Sequence, residues 1–152
     1  MLIHASCVAI GGRGILLAGS EPGGKGTSAA SGIGKSDLAL RLIDSGAMLV
    51  ADDQCLLALA NDAVTASAPA AIAGLIEVRH IGPLRLPFLA SAAIVLYVEL
   101  VPREAPHAIL ERMPEPDSVF LLDRPVRRLR LAAFDVSTPA KIRASLAFGS
   151  VS

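Results

Sequence analysis

Short apolar runs broken by glycine, proline and aspartate dominate this chain, with one clear helical period near residue 40. Residues 6–10 and 14–18 are apolar and flank Gly11-Gly12-Arg13, a pattern that predicts two strands joined by a hairpin turn. The second run closes at Gly19 and reads as a buried strand. Leu38 with Leu42, and Ala39 with Ile43, are spaced i, i+4, so a helix is predicted from Lys35 to Ser45, with Gly46 at its C-terminal cap. Residues 47–51 read as a buried strand ending at Asp52-Asp53, and residues 55–60 and 64–68 as a hairpin through Asn61-Asp62-Ala63. Residues 69–87 are less regular: a short apolar helix or turn, a strand-like stretch at 75–79, then a Gly/Pro break. Residues 92–100 are the most strand-like run of the second half. Prolines 102, 106, 114 and 116 punctuate a connector around a short segment at 108–113, and short strands are predicted at 119–122 and 126–131. Thr138 as N-cap with Pro139 behind it opens a last helix running to about Phe148.

Composition narrows the class. No internal repeat or long linker divides the 152 residues, so a single domain over 1–152 is expected. The chain is 53% apolar with only 3% aromatic residues, which suits a sheet with packed helices. Its longest apolar run, residues 92–98, is too short to span a bilayer, and the start lacks the basic and apolar regions of a signal peptide. Neither a membrane nor an export route is expected. Fourteen basic and fourteen acidic residues cancel, and Tyr97 is the sole tyrosine, so the basic face and stacking aromatics of a nucleic-acid partner are missing. Cys7 and Cys55 lie in predicted strands without a CxxC pattern; they read as small buried thiols in a reducing cytoplasm.

Residues 29–36, Ala-Ala-Ser-Gly-Ile-Gly-Lys-Ser, match the phosphate-binding pattern [AG]-x-x-x-x-G-K-[ST]. Glycines permit the tight turn that aims backbone N–H groups at an anion, the lysine reaches the β/γ-phosphates, and the following hydroxyl can sit on Mg²⁺. A helix starting at Lys35 would add its N-terminal dipole. Ten residues, 21–30, separate this loop from the preceding strand, and they hold a second candidate. Residues 19–27 also fit G-x-x-x-x-G-K, with Lys25 as the lysine and Gly26-Thr27 after it, as in adenylate-kinase-like loops. The stretch from Ser28 to Gly34 carries two glycines and no amphipathic period, so it is a poor helix. Lys35 is therefore preferred, and Lys25 reads as a solvated loop charge.

Asp52 and Asp53 end a strand that comes after the loop's helix. A carboxylate there can hold Mg²⁺ or its waters, or position an attacking hydroxyl, although aspartate also favours ordinary turns. Given the loop, function is preferred. Glu77 and Arg79 alternate with Ile76 and Val78 and could share one strand face; spacing alone favours an ion-paired surface. His4 precedes the first strand, where a lone histidine is usually inert surface. The arginines at 124, 127, 128 and 130 read most simply as a solvated strand edge, with a role in partner or phosphate contact as the other reading.

Together these residues resemble the catalytic domain of HPr kinase/phosphorylase, bacterial enzymes that phosphorylate a serine of the phosphocarrier protein HPr. The resemblance runs from His4 to about Gly82. It comprises His4 followed fifteen residues later by Gly19, residues 31–36 with their helix, Leu49-Val50-Ala51-Asp52-Asp53, and residues 74–82, where His80 replaces the usual glycine. The resemblance implies an α/β P-loop kinase domain, a mixed β-sheet with flanking helices, using ATP and Mg²⁺ to phosphorylate HPr. It implies that Lys35 binds the β/γ-phosphates within the loop Ser31, Gly32, Ile33, Gly34, Lys35 and Ser36. Ser36 and Glu77 would contribute to the Mg²⁺ site, and Arg79 would stabilise the transferring phosphoryl group. Asp52 would take the serine proton, with Asp53 and His4 tuning it; the choice between the two aspartates stays open. Full-length members carry a further N-terminal domain and a Pro-Gly-Arg-Asn stretch used for contacts and the reverse reaction. This chain shows neither and resembles the short alphaproteobacterial variety, so phosphorolysis is not expected and a homo-oligomer stays open.

Two other readings remain. One is a nucleotide-binding regulatory module that has lost catalysis, motivated by the insertion at the loop. The other is a small-metabolite kinase, which requires residues 19–27 to be the true loop.

Overall fold

The structure, a computed structural model, describes residues 1–19, 32–102 and 110–149. Lys25, the insertion, Ser31 and residues 103–109, which include the start of the predicted 108–113 segment, lie outside them. Among the described residues the strands are β1 (Leu2–Ile3), β2 (Ala5–Ile10), β3 (Arg13–Ala18), β4 (Met48–Ala51), β5 (Cys55–Ala60) and β6 (Ala63–Ser67). They continue with β7 (Leu75–Val78), β8 (Gly82–Arg85), β9 (Ala92–Val101), β10 (Ser118–Leu121) and β11 (Arg124–Ala132). The helices are α1 (Lys35–Asp44) and α2 (Thr138–Ala147), with a single 3₁₀ turn at Ala70–Ile72.

Nine strands make one mixed sheet, in which β9 is the branch point. It runs parallel to β3 along one side, while its other side takes β6 at Ala92–Ala93 and then β11 from Leu96 onward. Both β3 and β4 are antiparallel to β2, so β3, β4, β9 and β11 all point the same way. Helix α1 crosses over β2 to join the parallel strands β3 and β4. The carboxyl ends of four parallel strands therefore share one edge, where α/β sheets place ligands.

The sheet has an apolar core on each face. One is built from strand side chains alone, including Leu16, Val50, Leu57, Tyr97 and Leu121. The other packs Val8, Ile15, Leu17, Leu49, Leu96 and Val98 against Leu38, Ala39 and Leu42 of α1 and Ile142 of α2. Helix α1 buries the face its i, i+4 period predicts. It ends where the glycine signal puts it: Gly46 has φ 115°, its N–H donates to Ile43 and that of Ala47 to Leu42, satisfying the last carbonyls. Both cysteines are free and buried; the hydrogen bond that the protonated Cys7 thiol makes to Cys55, then burial, pushes the Cys7 thiol up.

Several local expectations need correction. The Gly/Pro break after residue 79 is a turn into β8, which pairs with β7 as a separate two-stranded sheet. Pro83 is accommodated there because this small sheet has only edge strands. The N-cap of α2 is Ser137, while the buried Thr138 hydroxyl donates to the Ala132 carbonyl at 2.5 Å, tying the helix to β11. The arginine strand is not a bare edge, since β11 has β9 on one side and β10 on the other. Arg128 and Arg130 both pair with Glu99 and Asp117, at 2.7–3.5 Å, closing a four-membered ring of charges. Arg124 pairs with Asp62.

The hydrogen bond from Arg128 holds the Asp117 carboxyl below its ordinary range, with burial opposing and the charges of Arg128 and Arg130 assisting. A depressed folded-state value contributes stability above the unfolded pKa and loses it as pH falls through the folded value. Asp117→Asn should therefore lower the melting temperature at pH 7, and the gap to wild type should close as pH falls below about 4. Thermal melts across pH check this.

Candidate active site

Helix α1 begins at Lys35 with Gly34 as N-cap, and Gly34 has φ 105°, open only to a residue without a side chain at low cost. A Cβ there would also lie 2.7 Å from Ala133 Cβ and 3.0 Å from Phe134 Cζ, so the backbone at Gly34 is pressed against the turn at the end of β11. With no side-chain cap, the helix N-terminus keeps N–H groups available to an anion. Lys35 is buried, and its Nζ lies 3.5 Å from the exposed carboxylate of Asp53.

Asp52 organises the ground beneath. It is 7% exposed, and its Oδ1 accepts the hydroxyls of Ser6 at 2.9 Å and Ser36 at 2.6 Å. Its Oδ2 accepts the Glu77 backbone N–H at 3.0 Å. One carboxylate thus joins β2, α1 and β7 to the end of β4. Ser6 also accepts the Asp53 N–H at 3.1 Å, which fixes Asp53 in a left-handed conformation, φ 67°. That geometry turns two adjacent carboxylates to different tasks, one inward and one outward.

Above them lies an open cleft of about 850 Å³ lined by Gly32, Gly34, Lys35, Ser36, Asp53, Glu77, Arg79, His80 and Phe134, among others. The hairpin β7–β8 supplies Glu77, Arg79 and His80, the last with φ 71° where glycine would be unstrained. The structure thus brings together Gly32, Gly34, Lys35, Ser36, Asp53, Glu77 and Arg79, with Asp52 just below. Ile33 packs toward the helix-side core. His4 is exposed beside the start of β2, at the same sheet edge but outside the cleft lining. Ser31 lies outside the described residues. Sequence reasoning passed over Ser6 and Phe134: a serine in an apolar strand and a phenylalanine after one carry no spacing signal.

Among the described residues no group of three or more His, Cys, Asp or Glu could hold a metal on its own. The cleft does offer hard oxygens, the Ser36 hydroxyl and the Glu77 carboxylate. They fit Mg²⁺, which takes few protein ligands and completes its shell with phosphate and water. Among the same residues no helix is long and apolar enough to cross a membrane.

Comparisons with known proteins agree with this architecture. A family model described as HPr Serine kinase C-terminal domain matches residues 1–115. An HPr kinase/phosphorylase of Leptothrix cholodnii is 35% identical over 138 residues, covering 85% of this chain and 39% of that protein. Another from Clostridium acetobutylicum is 37% identical over 94 residues, 62% of this chain and 28% of that protein. The chain therefore spans about two fifths or less of these relatives' length. The solved Hpr(Ser) kinase/phosphatase from Coxiella burnetii shares the fold, with TM-score 0.78 and 24% identity over 96% of this chain and 88% of that one.

Ser6→Ala removes the hydroxyl that joins both aspartates. It should destabilise the protein by roughly 1–3 kcal/mol, because a buried carboxylate loses a donor. Urea denaturation measures the loss.

Proposed function

Because the chain belongs to the family of HPr serine kinase C-terminal domains, we propose that it is an ATP-dependent protein-serine kinase acting on the phosphocarrier protein HPr. The observation that supports it most is the Asp52 carboxylate, which holds Ser36 of the phosphate loop and the backbone of Glu77 at once. It couples a phosphate-binding helix end to the wall that carries Glu77 and Arg79.

In this reading the N–H groups at the start of α1 and the Lys35 ammonium hold the β- and γ-phosphates. Ser36 and Glu77 are placed to hold Mg²⁺, which when bound neutralises phosphate charge. Arg79, on the opposite wall, stabilises charge on the phosphoryl group in transit. The acceptor hydroxyl must lose its proton as it attacks. Asp52, the base that the resemblance implies, is buried and already accepts three hydrogen bonds. Asp53 is exposed to the cleft at the same strand end. We assign proton acceptance to Asp53 and anchoring to Asp52. His4, at the same edge, is available to the acceptor protein.

Incubation with [γ-³²P]ATP, Mg²⁺ and purified HPr should label HPr on serine, and no label would refute the assignment. Lys35→Ala should abolish transfer while Lys25→Ala retains most of it. Asp53→Asn should lower kcat by roughly 10²–10⁴-fold, the usual contribution of a general base, with nucleotide binding retained. Asp52→Asn should also lower the melting temperature. Retained turnover in Asp53→Asn would return the base to Asp52.

A further inference from the structure

The cleft has two unlike ends. On one flank of α1, Ser36 meets Asp52, and beyond it stand Asp53, Glu77 and Arg79. On the other flank, Asp37 and Arg41 face the turn after β11: Arg41 takes Asp37 at 2.9 Å and donates to the carbonyls of Ala133 and Asp135. The turn is held again at its far end by the Thr138 hydroxyl on Ala132 and the Thr138 N–H on Asp135. It presents one side chain to the cleft, Phe134, a ring that is 52% exposed despite this rigid support. The ring lies against Gly34, whose added Cβ would come within 3.0 Å of it.

A nucleotide with its phosphates over the start of α1 has its transferring phosphoryl group at the charged flank. The described cleft continues from there across the helix to the other flank, where the rest of the nucleotide has room. There the described lining offers the Phe134 ring, in contact with the phosphate loop itself, beside the Asp37 carboxylate that Arg41 pairs. We propose that Phe134 is the platform on which the nucleobase stacks. This rests on the nucleotide-binding reading above and adds to it a specificity-determining residue. Stacking on a preset ring costs little ordering, since the turn is already pinned, and it uses the π-face that every base offers. It makes the donor a nucleoside triphosphate in preference to a bare polyphosphate, because the ring adds affinity that phosphates alone cannot collect.

Calorimetry on the full chain with Mg²⁺ separates these contributions, using ATP and inorganic tripolyphosphate as probes. Phe134→Leu keeps an apolar cover on Gly34 but removes the π-face, and Phe134→Trp restores it. ATP binding should weaken by about tenfold in Phe134→Leu, the scale of base–aromatic stacking, and recover in Phe134→Trp. Tripolyphosphate binding should stay at its wild-type value in both. Equal weakening of both probes, or unchanged ATP binding in Phe134→Leu, overturns the platform. Wild type binding ATP no better than tripolyphosphate also overturns it while leaving the phosphate site standing. Wild type binding neither overturns the phosphate site and the platform together.

Discussion

The Asp52 carboxylate is the joint on which the site depends. Its two oxygens collect hydroxyl donors from β2 and α1 and a backbone donor from β7, elements far apart in sequence. A buried carboxylate is costly unless its lone pairs are filled. Here the same donors that fill them also fix the loop, the outward Asp53 and the Glu77 wall. Stability and site geometry are therefore one set of interactions.

Much of this was legible in the sequence because it depends on local pattern. The helix after the glycine loop followed from the i, i+4 spacing of Leu38, Ala39, Leu42 and Ile43 and from Gly46. The hairpins followed from Gly11-Gly12 and Asn61-Asp62. The strand of residues 92–101 was visible as an apolar run, but its place as the sheet's branch point was not, since three partners leave no trace beyond burial. Strand β8 was hidden by Pro83, which signals a break wherever a sheet is assumed to be wide.

The arginines of β11 show the opposite failure. A cationic strand reads as solvated until its partners are known, and Glu99 and Asp117 lie 29 and 11 residues from Arg128. Ser6 and Phe134 were likewise invisible, because each acquires meaning only from contacts made across the fold. The helix start after Gly34 was recognisable from its own residues; the surfaces that flank it were set by tertiary structure.

Helix α1 is gripped on both flanks, by Ser36 on Asp52 and by Arg41 on the carbonyls of residues 133 and 135. Arg143 adds a third hold at Leu42 and Ser45. Each of these holds opposes rolling of the helix about its axis. The β7–β8 hairpin, a small sheet of its own, is bound to the same helix through the buried Ile76 side chain in the helix-side core. Its Glu77 N–H on Asp52 adds a polar tie to that apolar one. Wall and helix are thus held by the same carboxylate and the same core, so a change at either is felt by both.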